Sequence, residues 1–194
     1  MGLPLIKQEY SFSYKDYCQW DDGERWEIID GIEYSMTAPS RIHQEISMEL
    51  SVRLYDFFKN KNCKVYSAPF DVRLSEIENA DDEDIFTVVQ PDITVVCDPS
   101  RLDERGCRGT PDLIVEIVSP SSVGTDMKIK RELYERYCVK EYWIIHPYDK
   151  IVMIYCLGKN NQYAKSEIYT QEDILESKLF EDLKIKVADI LASF

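Results

Sequence analysis

Apolar residues in this chain arrive in short bursts, and this constrains the fold more than any other feature. The longest uninterrupted apolar run covers residues 151–157. That is far short of the ~20 residues that span a bilayer, so no transmembrane helix is expected. Short apolar runs bounded by Pro, Gly, Asp or Ser read as strands, whereas a helix needs a longer stretch with a 3.6-residue period. Strand signals fall in RWEIIDGIEYSM, over residues 64–75, once or twice within IFTVVQPDITVVCD, and then in PDLIVEIVS, EYWIIH and KIVMIYCL. A weaker one covers residues 183–187. Helical period marks residues 40–59 and 127–138, and Ser13 is placed to cap a short helix before Asp21-Asp22-Gly23. A chain of 194 residues can bury roughly 70% of its unfolded surface in one core. The expected architecture is one α/β domain over residues 1–194, a mixed β-sheet flanked by helices, with an added N-terminal hairpin and C-terminal strands.

Local chemistry supports these assignments. Asp30-Gly31 supplies the positive φ angles that a tight hairpin requires. Ser40 is a good N-cap, and Ile42, Ile46, Leu50, Leu54 and Phe57 set one core-facing stripe on the helix that follows. The acidic stretch EIENADDED reads as a solvated hairpin loop, and residues 99–110 as a loop rich in Arg, Asp and Gly.

The formal net charge is −13. A smooth basic face for duplex nucleic acid is therefore not expected, although Lys128, Lys130 and Arg131 cluster locally. The six cysteines lie at least ten positions apart with no CxxC pair. They read as reduced cytoplasmic thiols, and structural zinc is not expected.

The residues that break their local pattern carry the chemical information. In Asp112-Leu-Ile-Val-Glu116-Ile-Val-Ser119, alternation puts Asp112, Ile114, Glu116 and Val118 on one strand face. Glu116 needs a partner there: a core-facing Lys or Arg, a wet edge, a metal or a proton. On the helix at 127–138, Ile129, Leu133 and Tyr137 set the apolar face. Lys130 falls near its middle, Lys128 falls opposite, and Asp126 projects on the Lys130 side. A lysine aimed at the core either snorkels or meets a buried carboxylate, and Glu116 and Lys130 each supply what the other lacks. Asp92 opens an apolar run after Pro91; taken alone it reads as a turn residue. His43 lands on the apolar face of its helix, where a hydrogen-bonded core histidine is the simpler reading. Asp71 and Arg73 share a strand face and are placed to pair.

Two carboxylates on neighbouring strands plus a lysine suit Mg²⁺-assisted phosphoryl chemistry, because Mg²⁺ is commonly held by one or two carboxylates together with water and substrate phosphate. A glycine-rich phosphate loop, a G-x-S-x-G elbow and an H-E-x-x-H motif are all missing from the sequence.

The segments W-E-I-I-D-G, P-S-R-I-H-Q, A-P-F-D-V-R-L, Q-P-D-I, G-T-P-D-L-I-V-E-I-V-S-P-S, Asp126-x-x-x-Lys130 with Leu133-Tyr134, and E-Y-W-I-I-H-P resemble, in order, the Uma-type putative restriction endonuclease family. That family is a branch of the PD-(D/E)XK nucleases, and the resemblance runs over residues 26–157. It implies a restriction-endonuclease-like core and a metal site at the opened edge of the sheet. By position, Asp92 and Glu116 are then the metal carboxylates, and the Ile117 carbonyl completes the site. The usual lysine two places after the glutamate is replaced by Val118, and the family's lysine on the following helix matches Lys130, which would then position the attacking water. His43 matches the family's helix histidine and, with Tyr134, supports the site. His146 departs from the family, whose members generally carry Asp before that proline. The activity implied is a Mg²⁺-dependent endonuclease on DNA, with Mn²⁺ as a substitute, in a cytoplasmic, homodimeric protein that binds no membrane. The alternative is a catalytically silent binding or scaffold protein in which Lys130 and Glu116 form an interior ion pair.

Overall fold

The computed structural model describes residues 11–120 and 122–191. A short helix α1 (Tyr14–Tyr17) leads into a hairpin of β1 (Arg25–Ile29) and β2 (Ile32–Met36). The long helix α2 (Arg41–Phe58) follows, then β3 (Lys64–Ser67), β4 (Val72–Leu74), β5 (Thr87–Val89) and β6 (Ile93–Val96). A small hairpin of β7 (Leu102–Asp103) and β8 (Gly106–Arg108) precedes β9 (Leu113–Ile117). A π-helical segment, Thr125–Lys130, runs directly into α3 (Arg131–Arg136). Strands β10 (Glu141–His146), β11 (Ile151–Cys156), β12 (Glu167–Thr170), β13 (Ile174–Glu176) and β14 (Lys184–Lys186) follow, and then α4 (Val187–Leu191).

The strands divide between two six-stranded mixed sheets, ordered β2-β1-β5-β4-β8-β7 and β12-β11-β10-β9-β6-β3, with β13-β14 as a separate pair. The fold is thus the expected mixed α/β arrangement, but the strands occupy two large sheets. The chain crosses between them five times, and two of these crossings cut through stretches that read as strands in the sequence. It leaves β3 for β4 through Ala68-Pro69, which is a cis peptide, and leaves β5 for β6 through Gln90-Pro91-Asp92. Proline has no N–H to give a ladder, so it marks the places where a strand is handed from one sheet to the other. The expectation of one strand over residues 64–75 is corrected accordingly: it is two strands in different sheets.

Packing follows from the alternation along β9. Leu113, Val115 and Ile117 join the core formed with Ile46, Leu50, Leu54 and Phe58 of α2 and with the C-terminal segment. Ile114 and Val118 join the core formed with Val72, Leu74 and Val89 of the other sheet and with Leu133 and Tyr134 of α3. Glu116 lies on this second face and is 4% exposed. Of the α2 stripe, Ile46, Leu50 and Leu54 are buried while Ile42 and Phe57 are half-buried, Phe58 is buried in addition, and the Ser40 hydroxyl accepts the His43 N–H at 3.2 Å. Ser13 caps α1 in a capping box with Asp16.

The cysteine reading needs correction. Cys63 and Cys97 form a disulfide. Antiparallel pairing of Lys64 with Val96 explains it, because the next step outward in that register sets Cys63 opposite Cys97. Cys18, Cys107, Cys138 and Cys156 remain free. Alkylation of the denatured protein is expected to modify four cysteines before reduction and all six after it. Six before reduction would show that the bond does not form. Among the described residues, no helix is long and apolar enough to cross a membrane.

Candidate active site

Register brings the two carboxylates together. β6 and β9 are antiparallel with Ile93 opposite Val115, so one step further sets Asp92 beside Glu116, although 24 positions separate them in sequence. Asp92 Oδ2 accepts the Ile117 N–H at 2.7 Å and lies 3.0 Å from His43 Nε2. His43 Nδ1 is buried with no hydrogen-bond partner among the described residues. α2 therefore presents this histidine to Asp92. His43→Ala is expected to lower any Asp92-dependent activity about tenfold, the effect of losing one hydrogen bond to a charged group, while the fold is kept. Circular dichroism and a rate measurement on the variant check both halves.

Lys130 sits at the end of the π-helical segment and is 4% exposed. Its ammonium donates to Glu116 Oε1 and to Glu27 Oε1, both at 2.9 Å, and lies 3.8 Å from Asp126 Oδ1. The Tyr134 hydroxyl donates to the same Glu116 oxygen at 2.8 Å. Glu27 is fixed in turn, because its Oε1 also accepts the Gln90 backbone N–H at 2.8 Å. The Gln90 side chain links outward: its amide nitrogen donates to Asp71 at 2.8 Å and to the Tyr17 hydroxyl at 3.0 Å, and its oxygen accepts from Arg25. Asp71 serves this network, while Arg73 bridges Asp103; the two do not form the pair expected from the sequence.

Glu27 is the site residue that the sequence reading missed. It lies 103 positions from Lys130, and its signal was the same as that of Glu116: a carboxylate embedded in an apolar strand, here between Trp26 and Ile28-Ile29. The helix expected over residues 127–138 also differs. It begins as a π-helical segment at Thr125 and its α-helical part stops at Arg136. Such widened turns recur at functional sites, and this one carries both Asp126 and Lys130 inward.

The electrostatics are lopsided. Glu27, Glu116 and Asp126 share one ammonium, and Asp92 lies close enough to Glu116 to add to the repulsion. Burial pushes the Glu116 carboxyl well above its ordinary range. Lys130 opposes the rise, and Asp126, Asp92 and Glu27 add to it. Burial likewise raises Asp126, against the pull of Lys130 and a Ser122 hydrogen bond. Burial would depress Lys130, but Glu116, Glu27 and Asp126 outweigh it and hold the ammonium firmly charged. Burial and the neighbouring Glu116 together keep the Tyr134 phenol protonated.

The cluster forms the floor of a cleft of about 520 Å³ between the start of α2 and the end of β9. Neutral polar groups make much of its wall, among them Ser40, Gln44, Ser47, Ser51 and Ser67. Among the described residues, no three His, Cys, Asp or Glu side chains converge into a ready-made metal cage. The donor set nevertheless fits a hard divalent cation. None of the hydrogen bonds above falls on Asp92 Oδ1 or Glu116 Oε2, both residues line the cleft beside Ile117, and the floor holds more carboxylate than cation. Mg²⁺ needs no all-protein cage and keeps several waters.

In fold this chain is a nuclease-like α/β protein. A crystal structure from Anabaena variabilis, described as that of a putative nuclease belonging to DUF820, superposes with a TM-score of 0.73 at 17% identity. The match covers 93% of this chain and 98% of that one. The chain belongs to the Uma2 family, "Putative restriction endonuclease", which matches residues 14–188. A curated relative from Synechocystis sp., an uncharacterised protein, is 29% identical over 124 residues, which make up 63% of this chain. The chain thus spans 61% of that relative's length.

Proposed function

We propose that this chain is a divalent-metal-dependent endonuclease that hydrolyses phosphodiester bonds of DNA, with Mg²⁺ as its ion and Mn²⁺ as a substitute. The observation that carries the reading is the pairing of Asp92 with Glu116 at the floor of an open cleft, each with one carboxylate oxygen free of the site's hydrogen bonds, beside a lysine held by three carboxylates. Asp92 and Glu116 would hold the ion, with the Ile117 carbonyl as a third oxygen. When bound, the ion would neutralise charge growing on the phosphate and acidify the attacking water. Lys130 holds the Glu116 carboxylate in place and would position the attacking water. Tyr134 locks the same carboxylate oxygen from the other side, and His43 does so for Asp92.

The charge of −13 and the hydroxyl-lined wall favour a substrate strand positioned by local contacts over tight nonspecific capture of duplex. The test is cleavage of supercoiled plasmid and of single-stranded DNA with Mg²⁺, with Mn²⁺ and with chelator. Cutting that needs metal supports the reading, and its absence on both substrates with both metals counts against it. A second reading has one observation in its favour: the Lys130–Glu116 pair is already closed at 2.9 Å, as a silent scaffold would have it. Homodimerisation belongs to the same proposal and is read by sedimentation of the same preparation.

A further inference from the structure

A second cavity, of about 400 Å³, shares no lining residue with the carboxylate cleft. It lies between the end of β4, the acidic connection after it, and the segment that carries β7 and β8. Three arginines line it: Arg73, Arg101 and Arg108. Arg73 is 1% exposed, and its guanidinium is only partly used. One nitrogen donates to Asp103 Oδ1 at 2.5 Å, and the group lies 5.2 Å from the centre of the Tyr14 ring. Its Nε and Nη1 are buried without a hydrogen-bond partner among the described residues. Interior donors left open are uncommon and costly, and a guanidinium that stays charged cannot escape the cost by losing a proton.

The other two arginines are held over the same cavity by backbone carbonyls. Arg101 donates to the Thr110 oxygen, and Arg108 to that of Ala80. Gly106 fixes the hairpin that places Arg108. Its φ is +128°, and a Cβ there would come 2.3 Å from the Asp71 carbonyl, so β8 packs flush against the residues before β4. Planar guanidinium forks from three separate segments match the oxygens of a tetrahedral anion. The rim also carries Glu76, Glu78 and Asp98. These carboxylates would repel a polyanionic strand laid across the opening, and they leave room for a single compact group.

We propose that the cavity lined by Arg73, Arg101 and Arg108 is a binding site for a compact phosphate-type oxyanion, either inorganic phosphate or a terminal phosphate monoester. The site is separate from the carboxylate cleft and does not depend on the nuclease reading.

The test is calorimetric titration of the full chain with inorganic phosphate in chelator, at fixed ionic strength set with chloride. Chelator keeps divalent ions from drawing phosphate to the other cleft. Saturable binding is expected, weakened about tenfold by Arg101→Gln and by Arg108→Gln, whose positions are part-exposed and exposed, and lost in Arg73→Met. Should Arg73→Met fail to fold, the other two variants decide. A 5′-phosphorylated dinucleotide compared with its 5′-hydroxyl form distinguishes the sources. Binding of the phosphorylated form alone assigns a terminal phosphate, and binding of inorganic phosphate with neither dinucleotide assigns the free ion. No saturable binding of phosphate or phosphorylated dinucleotide by the wild type would overturn the proposal, as would affinity unchanged in both surface variants.

Discussion

Lys130→Met is expected to lower the unfolding free energy by about 3–5 kcal/mol at neutral pH, the usual result of leaving buried charge without its partner. Methionine keeps most of the stem's volume, so the loss reports the ammonium and not a cavity. Three carboxylates depend on that ammonium: Glu27 and Glu116 at 2.9 Å and Asp126 at 3.8 Å. Removing it from a site that is almost closed to water leaves their mutual repulsion uncompensated. The defect should shrink at acidic pH, where protons replace the lost cation on carboxyls whose affinity for them is already raised. Adding Glu27→Gln to the variant should recover part of the loss, because the two sites are in contact and their effects cannot be independent. Urea unfolding in chelator reads each of these. A loss below about 1 kcal/mol would mean that the ammonium behaves as a solvated surface charge.

Glu116→Gln is expected to act oppositely on stability and activity. Metal-dependent cleavage should fall by about 10²–10³-fold or more, the scale of several kcal/mol of transition-state stabilisation. Stability in chelator should hold or rise at pH 7, because Lys130 keeps Glu27 and Asp126 while one of the crowded carboxylates is removed. The pH dependence has a definite sign. Burial first, then Asp126, Asp92 and Glu27, raise the Glu116 carboxyl above its unfolded value of 4.5, against the pull of Lys130. A group raised in this way contributes stability that is fully present below the unfolded value and is lost as pH climbs through the folded one. The wild type in chelator should therefore lose stability as pH rises above about 4.5, and the variant should show a flatter curve. The titrating proton is shared among the clustered carboxyls, so the slope belongs to the cluster. If the variant instead loses a few kcal/mol and metal changes nothing, the interior ion pair of a silent scaffold is the better account.

Much of this site is visible in the sequence, because buried charge contradicts the periodicity around it. Glu116 interrupts an apolar strand and Lys130 interrupts an apolar helix face, and the structure closes the pair they imply. The β1–β2 hairpin, α2 and its cap follow from equally local rules, namely a Asp-Gly turn and an i, i+4 stripe behind serine. What escaped depends on long-range register. Glu27 carries the same local contradiction as Glu116, but nothing near it in sequence names Lys130 as its partner. Cys63 and Cys97 meet only because Lys64 pairs with Val96. The division into two sheets turns in part on Pro69, which read locally as a pause within one strand, and on Pro91, around which the sequence left one or two strands open. The π-helical segment before α3 breaks the 100° wheel, yet Lys130 still points inward, because its phase is set by the α3 residues that follow it.

The most direct measurement is calorimetric titration of Mn²⁺ into wild type, Asp92→Asn and Glu116→Gln at neutral pH. The account requires saturable binding in the wild type that is lost in both variants, with affinity rising as pH rises because protons compete for the same carboxyl oxygens. No saturable binding in the wild type, or binding that survives both substitutions, would contradict the assignment of this cleft as the metal centre of a nuclease.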